Sequence, residues 1–335
     1  MRSLCAWMAA TALAVGVLAC GQSAPRGGPG AAKADASGTF PRPERVAVMV
    51  LENRSFGQVI GSPKAPYINS LARRYALATK YYAIGHPSLP NYVALTGGAK
   101  NGIGTNCKQC DTEQPNLLNQ LDAHGVDWRA YFEGLPKGDR LTSRTTRYNP
   151  FYNPFGYYER VSDPKKSRGG IVAFDRLRKD LASRRLQQFS WIAPNVFHDG
   201  HNHSLQGADR FASKLVPRVL RALGPNGVLY LTWDEGRDSD RAGVRGESGG
   251  GQVALIAAGG AARPGARIAV PANHYALLRT IEAGFGLPAL RNAGNRGTPL
   301  LSGLLKSRRT AAGVQRRLLS TGQAYSPCSS ARCKR

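Results

Sequence analysis

The sequence has no long hydrophobic run after its first residues. Residues 1–19 begin with the positive Arg2 and continue as "AWMAATALAVGVLA", which is too short to span a bilayer comfortably and is followed by small residues. This pattern predicts a signal peptide over residues 1–19. Because no later segment is apolar enough to cross a membrane, we expect the chain from about Phe40 onward to be soluble and outside the cytoplasm, with no transmembrane span in the mature protein.

The residues at the end of the predicted signal peptide indicate where the mature protein is located. "VLAC", ending at Cys20, resembles the bacterial lipobox, in which cleavage leaves a cysteine that carries lipid; a plain secretory cleavage is the alternative. Residues 20–40 are rich in Gly, Ala, Ser and Pro, so we expect the lipidated cysteine to be followed by a flexible tether. The protein is then anchored outside the bacterial cytoplasmic membrane or in the periplasm, or else secreted. The main domain is predicted over 41–310 and a basic tail with a CxxxxC pair over 311–335.

Cysteine is scarce, with six residues in all. Two of them belong to the export segment, and an even number remains in an exported chain, which favours disulfides. The remaining cysteines are Cys107, Cys110, Cys328 and Cys333. These two pairs allow three connectivities. A zinc site is the alternative, but the pairs lie more than two hundred residues apart in an oxidising compartment, and we predict structural bridges.

Acidic residues are few. The chain has 21 Asp and Glu against 46 Lys and Arg, which gives a formal charge of +25. Such a surface attracts nucleic acid, anionic lipid headgroups and phosphorylated wall polymers. Basic clusters such as "KSRRTAAGVQRRLL" have no interleaved aromatic residues and match no nucleic-acid module. We therefore expect contact with anionic lipid or cell-wall polymer through the basic surface, and no specific nucleic acid partner.

Strand-like and helix-like segments alternate along the chain, without an internal repeat. Strands are predicted for RVAVMVL, DWRAYFE, QFSWIAPN, GVLYLTWDEG and QVALIAAGG. Helices are predicted for PYINSLARRY, NLLNQLDAHG, AFDRLRKDLASRRL, GADRFASKLVPRVLRALG and NHYALLRTIEAGFG. This alternation predicts an α/β fold, with a mainly parallel central sheet and helices on both faces. The aromatic, proline-rich residues 144–161 lack a period and are predicted to form an inserted loop.

Polar side chains follow three of the predicted strands. They are Glu52 and Asn53, then Asn195, His198, Asp199, His201 and His203, and finally Asp234 and Glu235. Because ligands of open parallel sheets bind outside the carboxyl ends of strands, these clusters could converge on one rim. Carboxylates with imidazoles are the ligand mix of a divalent metal, and Asp199 and His203 are spaced to face one ion. His198 and His201 are equally well explained as loop residues or as hydrogen-bond partners of the ligands.

Ser88 has two interpretations. In "HPSLPNYVAL" it stands where a hydroxyl caps a helix, and the local pattern favours that role. A serine at a helix start is also placed where amide N–H groups attract a phosphate, and a nearby metal could activate it as a nucleophile. The local sequence permits catalysis without requiring it.

Several blocks resemble, in order and spacing, the phosphoesterase family of bacterial and fungal acid phosphatases and phospholipases C. They are VMVLENRSFGQVIG, PYINSLA, HPSLPNYVALTGG, WIAPNVFHDGHNHS, LYLTWDEG and NHYALLRTIEAGFGLP. The resemblance covers roughly residues 46–290 and implies an alkaline-phosphatase-like α/β fold. The domain over 41–310 is then a phosphoesterase domain.

The resemblance assigns roles to five of these residues. It implies that Glu52 and Asn53 bind metal and that Ser88 is the nucleophile. Asp234 and Glu235 would complete the metal shell. The metal would be a divalent ion: oxygen ligands admit calcium, magnesium or manganese, and histidines admit zinc or iron.

Further candidates surround this centre. The resemblance places His86 and Asn91 beside the phosphate, and His201 and His203 as contacts of the transition state. More distantly, Asp199 with His203 matches the second-metal spacing of nucleotide pyrophosphatases. His274, in "NHYALL", stands where a late histidine would fit such a metal site.

Two departures from the family pattern concern the same site. The late acidic pair is Asp-Glu here rather than Asp-Asp, and the common "HNPF" block is "YNPF", with Tyr152 in place of histidine. The resulting hypothesis is a metal-dependent phosphomonoesterase that hydrolyses a phosphate ester through a phosphoserine. The alternatives are a phospholipase C acting on phosphodiesters and a surface lipoprotein that binds polyanions with weak or no catalysis.

Overall fold

The computed structural model describes residues 40–138, 141–162, 170–244 and 249–307. The strands in these ranges are β1 Arg45–Leu51, β2 Ala76–Ala78, β3 Tyr81–Tyr82, β4 Trp128–Phe132, β5 Ile171–Ala173, β6 Phe189–Ala193, β7 Gly227–Trp233, β8 Leu255–Ala258, β9 Arg267–Ile268 and β10 Ala272–Asn273. The α-helices are α1 Phe56–Val59, α2 Pro66–Arg74, α3 Ser88–Gly97, α4 Leu117–Ala123, α5 Glu159–Ser162, α6 Phe174–Ala182, α7 Leu205–Leu223 and α8 His274–Phe285. The predicted signal peptide, tether and tail fall outside the described residues, apart from residue 40, and stay predictions.

The central sheet has eight strands in the order β5-β4-β6-β1-β7-β8-β2-β9. All neighbouring pairs are parallel except those of β8, which runs antiparallel to both β7 and β2. β1 lies between β6 and β7, with Met49 opposite Ile192 and Leu51 opposite Trp233. The predicted mainly parallel sheet is therefore confirmed. The antiparallel strand, β8, lies within the predicted strand segment QVALIAAGG, but the sequence did not indicate its direction.

Helices cover both faces of this sheet. α7 packs against β1 and β7 and against α2 and α6, whereas α3 packs against α8 and α4. Every residue from Val46 to Leu51 is buried, as expected of a strand whose two faces both meet helices. The predicted α/β fold class is confirmed.

Residues 144–161 differ from the prediction. They form two 3₁₀ turns, Pro150–Tyr152 and Pro154–Tyr157, and lead into α5. Their aromatic side chains belong to the core: Phe155 is fully buried and meets Trp191 edge to face at 5.5 Å between ring centres. The segment lies in the connection between β4 and β5, as the predicted inserted loop would, but its aromatic rings, which lack any sequence period, bury large apolar areas against β4 and β6.

The disulfide prediction is confirmed in part. Cys107 and Cys110 are bonded to each other, which is one of the pairings that their spacing allowed. Cys328 and Cys333 lie outside the described residues. Among the helices that the structure describes, none is both long and apolar enough to cross a membrane.

Candidate active site

The carboxyl ends of three neighbouring strands, β6, β1 and β7, meet at one rim of the sheet. Glu52 follows β1, and its backbone N–H donates to the carbonyl oxygen of Asp199, in the loop after β6, at 3.0 Å. The backbone N–H of Asp234, just after β7, donates to the carbonyl oxygen of Leu51 at 3.0 Å. The structure therefore brings the three predicted strand ends together.

Asn53 joins the ends of β1 and β7. Its φ of 39° is left-handed, a conformation that is uncommon outside glycine and that asparagine tolerates better than most residues. In this conformation its backbone N–H donates to Asp234 Oδ1 at 3.1 Å and its side-chain Nδ2 donates to Glu235 Oε1 at 3.0 Å. The turn at Asn53 thus holds both acidic residues against the end of β1.

Ser88 is the first residue of α3 and points into this cluster. Its side chain makes no capping hydrogen bond, and the N-cap position is Pro87, so the predicted capping role is wrong. The hydroxyl instead faces three oxygen atoms: Glu235 Oε1 at 2.9 Å, Glu52 Oε2 at 3.2 Å and Asn53 Oδ1 at 3.4 Å. Only 6% of Ser88 is exposed. A nearly buried hydroxyl among carboxylates is unusual and favours a chemical role.

Asn91 fixes the loop that presents Ser88. Its Oδ1 accepts from the backbone N–H groups of Ile84 and Gly85, and its Nδ2 donates to the carbonyls of Gly85 and Pro87. The side chain is fully buried, and these bonds use both ends of the amide. The structure therefore places Asn91 as a positioning residue and leaves no free group on it to hold a phosphate.

A glycine-rich segment, residues 249–251, lies against the same loop. The backbone N–H of Ala83 donates to the carbonyl of Gly251 at 3.0 Å. A Cβ on Gly250 would lie 2.5 Å from the carbonyl oxygen of Gly85, so this close approach requires glycine. The loop before Ser88 is thus held from both sides, which restrains the direction of the hydroxyl.

His86 links the cluster to the loop after β7. Its Nδ1 lies 2.5 Å from Glu235 Oε2, and its Nε2 lies 2.8 Å from the carbonyl oxygen of Asp240. A carbonyl oxygen only accepts, so Nε2 must donate; Nδ1 then bonds Glu235 either as the second N–H of an imidazolium or as the acceptor of a proton from the Glu235 carboxyl group. Glu235 consequently has Ser88 on one oxygen and His86 on the other.

Burial and mutual repulsion dominate the electrostatics of the cluster. Burial, and after it the charge of Asp234, raises the pKa of Glu52 well above its usual value. The pKa of Asp234 is also raised by burial, and next by the charge of Glu235. Burial raises the pKa of Glu235, although hydrogen bonds from Ser88 and His86 oppose this effect. Three carboxyl groups therefore lie where full ionisation is unfavourable without a compensating cation.

Two residues of this network were not singled out from the sequence. The Tyr92 hydroxyl donates a short hydrogen bond to Glu52, and Tyr92 lies four residues after Ser88 on the same helix face. That spacing was a usable signal. Asp240 accepts from the Ser55 hydroxyl at 2.7 Å and holds His86 through its carbonyl. Asp240 lies further along the loop after β7 than the predicted Asp234 and Glu235, and nothing in the sequence pattern indicated this contact.

The oxygen-rich cluster fits a divalent cation. In this arrangement no three Asp, Glu, His or Cys side chains of the described residues enclose a common metal position. However, Asp234 Oδ2 is buried and has no hydrogen-bond partner among the residues that the structure describes, and the raised carboxyl pKa values indicate that a cation would stabilise the cluster. Glu52, Asn53, Asp234 and Glu235 offer hard oxygen donors of the kind that bind such ions.

Asp199 lies beside the cluster, but its carboxylate is already engaged. Its Oδ2 accepts from the Tyr152 hydroxyl at 2.8 Å and from Asn202 Nδ2 at 2.6 Å. Its Oδ1 accepts from the backbone N–H groups of His201 and Asn202. Tyr152, which stands where the family has histidine, therefore anchors Asp199 to the aromatic segment.

The predicted histidines occupy different places. The side chains of His201 and His203 are exposed, and within the described part of the chain neither ring is hydrogen-bonded to the cluster around Ser88. His203 packs on Phe197, with ring centres 4.7 Å apart. His198 binds Glu133 Oε2 at 2.8 Å through Nδ1. The structure thus does not bring His201, His203 and Asp199 together as one ligand set.

His274 is fully buried, and both of its ring nitrogens have partners. Nδ1 lies 2.8 Å from the Tyr81 hydroxyl, and Nε2 lies 2.6 Å from the carbonyl oxygen of Asp234. Burial lowers its pKa to about 4, so the ring is neutral at physiological pH. In this arrangement His274 supports the end of β7 and has no free nitrogen for a metal.

Solved structures define the class of fold. A protein of the alkaline phosphatase superfamily from Vibrio parahaemolyticus superposes with a TM-score of 0.54 at 13% identity, over 78% of this chain and 72% of its own. At this identity the likeness shows the fold alone. It confirms the alkaline-phosphatase-like architecture predicted from the sequence.

The family follows from sequence comparison. The model of the Phosphoesterase family matches residues 62–288, which is more than half of the chain. A phosphatidylinositol-3-phosphatase of Mycobacterium tuberculosis is 30% identical over 262 residues, covering 78% of this chain and 83% of the relative. The chain belongs to the Phosphoesterase family, and it is a hydrolase of phosphoric ester bonds, as predicted.

More remote relatives extend beyond this chain. An acid phosphatase of Aspergillus fumigatus is 28% identical over 233 residues, which is 66% of this chain and 50% of the relative. The chain therefore spans about half the length of that fungal enzyme.

Proposed function

We propose that the protein is a metal-dependent phosphomonoesterase in which Ser88 is the nucleophile and a phosphoserine is the intermediate. One observation carries this proposal. The nearly buried Ser88 hydroxyl lies within 3.4 Å of oxygen atoms from Glu52, Asn53 and Glu235, at the rim where three strands end. A structural serine has no reason to be surrounded by acceptors whose charges repel one another.

The chain's own residues suffice to describe each proton and bond. Ser88 Oγ gives its proton to Glu235 Oε1, which lies 2.9 Å away, while His86 is hydrogen-bonded to Oε2. The Ser88 Oγ–P bond forms as the bond from phosphorus to the ester oxygen breaks, and the leaving alcohol takes a proton from solvent. Water then attacks the phosphoserine: the new P–O bond forms as the Oγ–P bond breaks, Glu235 returns its proton to Ser88 Oγ, and the water gives up one proton to solvent as inorganic phosphate leaves.

The proposed metal ligands are Glu52, Asn53, Asp234 and Glu235. A divalent ion held there would lower the pKa of the nucleophile and neutralise charge on the phosphoryl oxygens. Oxygen ligands favour calcium, magnesium or manganese, whereas zinc or iron would need imidazole as well. His274 is not part of this set because both ring nitrogens are engaged, and we assign no ligand role to His201 or His203.

The substrate proposal follows the names of the relatives. The Mycobacterium tuberculosis and Aspergillus fumigatus proteins are named as phosphatases, which act on monoesters. A phospholipase C would use the same centre on diesters. Parallel assays with an aryl phosphate and with a phospholipid diester distinguish the two, and faster diester turnover would overturn the monoesterase proposal.

The decisive variants are Ser88→Ala and Ser88→Thr. We expect Ser88→Ala to lower aryl phosphate turnover by at least about a thousandfold with an unchanged Tm, since the residue is small and makes no cap. Ser88→Thr keeps a hydroxyl and is expected to retain measurable turnover. An active alanine variant would contradict the nucleophile assignment. If every variant and the wild type bind polyanions and none hydrolyses esters, the non-catalytic alternative holds.

The location is also a proposal. Lipidation at Cys20 would anchor the enzyme outside the cytoplasmic membrane or in the periplasm, and simple secretion is the alternative. Labelling cells with a tagged fatty acid tests this: the label should appear on the wild type and disappear from Cys20→Ala. Label on neither protein would favour secretion.

A further inference from the structure

The sheet has a second functional candidate at the edge opposite to the site. β1 runs from Arg45 to Leu51, so Arg45 lies at its amino end, about 23 Å from Glu52 at 3.3 Å per residue. Around Arg45, cations of β1, β4, α6 and the segment after α6 line an open concavity of about 790 Å³. The amino-edge basic face consists of Arg45, Arg129, Arg176, Lys179, Arg184 and Arg185.

One acidic residue lies among these six cations. Asp180 is the one acidic residue among those lining the concavity in the described chain, and it is 4% exposed. Its Oδ2 accepts from Arg129 at 2.6 Å, and its Oδ1 accepts from Arg176 at 2.9 Å. Asp180 is thus fully occupied and does not offset the rest of the face.

Three of the other four cations are exposed, whereas Arg45 is half-buried and donates to the carbonyl of Leu186. Lys179, Arg184 and Arg185 face solvent, and none of them takes part in an ion pair among the residues that the structure describes. A lysine in the last turn of a helix is explained by the helix dipole alone. The two arginines that follow α6 extend the charge beyond that turn.

Arg184 holds a position that ordinarily suits glycine. It follows Ser183, the C-cap of α6, and has a left-handed φ of 53°. Arginine in this conformation carries a backbone strain that glycine avoids. No ion pair within the described structure offsets this strain; the left-handed turn itself closes the end of α6, where the backbone N–H of Arg185 donates to the carbonyl of Asp180 at 2.9 Å.

Both ends of the described chain reach this edge. The backbone N–H of Glu44, just before β1, donates to the carbonyl of Asn226 at the amino end of β7. Near the other end, Lys306 donates to Ala261, which donates to Gly227. The preceding chain contains the predicted lipid-bearing Cys20. The following residues, 308–335, contain seven Lys and Arg residues and no Asp or Glu.

We propose that the amino-edge basic face docks on the surface of an anionic lipid bilayer and directs the catalytic rim away from it. Anionic headgroups match the unpaired cations, and the described chain, which follows the predicted anchor in sequence, enters β1 at the same edge. A wall polymer offers the same charge but gives no reason for the anchor to enter here. The docking is independent of the Ser88 chemistry and goes beyond the proposed function.

The test uses the full chain carrying Cys20→Ser, so that no acyl chain contributes to binding. The test variant is Lys179→Gln/Arg184→Gln/Arg185→Gln. Its control, Lys64→Gln/Arg210→Gln/Lys214→Gln, removes three exposed cations elsewhere on the surface. Co-sedimentation is measured with vesicles of equimolar phosphatidylcholine and phosphatidylglycerol, and with phosphatidylcholine alone.

We expect the parent chain to bind the mixed vesicles and not the neutral ones. The test variant should bind the mixed vesicles about a hundredfold more weakly, from about fivefold per cation at a membrane surface. The control should keep most of the binding, and both variants should keep wild-type turnover of a soluble aryl phosphate.

Three results would overturn the proposal. If both variants lost vesicle binding equally, the attraction would come from net charge, and if the test variant bound as well as the parent chain, binding would lie in the tail. Binding of the parent chain to soluble polyphosphate without binding to vesicles would favour a polymer. Loss of Ser88 chemistry would leave the vesicle result unchanged, so the two proposals fail separately.

Discussion

The two edges of the central sheet differ in whether their charged side chains are buried or exposed, and in whether they are paired. At the carboxyl edge, Glu52, Asp234 and Glu235 are buried together, and burial raises the pKa of each. At the amino edge, Arg184 and Arg185 are exposed. The buried Asp180 there is paired with two arginines and accepts a hydrogen bond from a tyrosine hydroxyl. At the carboxyl edge, the buried and mutually repelling carboxyl groups of the proposed site lower the stability of the fold. At the amino edge, the buried charge is paired and the unpaired charges are exposed to solvent.

The largest predicted effect is at the carboxyl edge. Asp234→Asn should lower aryl phosphate turnover by about two to three orders of magnitude, the usual size when one charge-stabilising group is lost. The same change should raise the unfolding free energy of the metal-free protein at neutral pH by roughly 1–2 kcal/mol, because it removes one buried, repelled charge. Turnover assays and denaturant unfolding after chelation measure the two effects. A fall in metal-free stability would contradict the repulsion account.

The pH dependence of stability should reveal the same repulsion. A carboxyl group with a raised pKa in the folded state stabilises below its unfolded pKa, and this contribution is lost as pH rises through the folded pKa. Glu52, Asp234 and Glu235 all act in this direction. The Tm of metal-free protein should therefore fall as pH rises above the ordinary carboxyl range, and a divalent ion should reduce the fall.

A buried glutamate outside the site provides the control for that experiment. Burial raises the pKa of Glu282 to about 8, and its Oε2 has no hydrogen-bond partner in the structure described here. Glu282→Gln should remove the part of the pH-dependent fall between 4.5 and about 8 without altering the response to metal. If Glu282→Gln also abolished the response to metal, the carboxyl edge would not be its source.

The matched change at the amino edge should have the opposite sign. Asp180→Asn removes the charge that holds Arg129 and Arg176, so we expect the unfolding free energy to fall by about 2 kcal/mol. The loss is smaller than for fully buried pairs because the Arg176 side chain is half exposed. Denaturant unfolding measures the change, and turnover should be unaffected. A stabilised Asp180→Asn would remove the contrast between the edges.

The smallest effect concerns Arg184. Arg184→Gly relieves the left-handed strain and should stabilise the protein by up to about 1 kcal/mol, reduced by the greater freedom of the unfolded chain. It should weaken vesicle binding at the same time. Arg184→Lys keeps the charge and the strain and should change neither property. Reduced stability of the glycine variant would show that Arg184 makes a stabilising contact.

The sequence predicted the fold well where hydrophobic runs and helix patterns were long. β1, β7 and α7 were all anticipated, and the parallel sheet then placed Glu52 and Asp234 at one rim. Ser88 came from the resemblance, since its local pattern favoured a cap that the structure does not form.

Other features depend on contacts that no local pattern encodes. The role of Asn91 requires a loop that doubles back on its own backbone, and both nitrogens of His274 are claimed by Tyr81 and by the end of β7. The aromatic residues 144–161 looked like a loop because they have no period, yet their rings fill the core. Tertiary packing, which sequence spacing does not report, decided each of these positions.

One measurement tests the central claim most directly. The enzyme is mixed with an aryl phosphate, quenched in acid during turnover, digested and analysed by mass spectrometry. The proposed mechanism predicts a phosphate on Ser88 in the wild type and none in Ser88→Ala. Turnover by the wild type with no covalent phosphate on Ser88, or with phosphate on another residue, would contradict it.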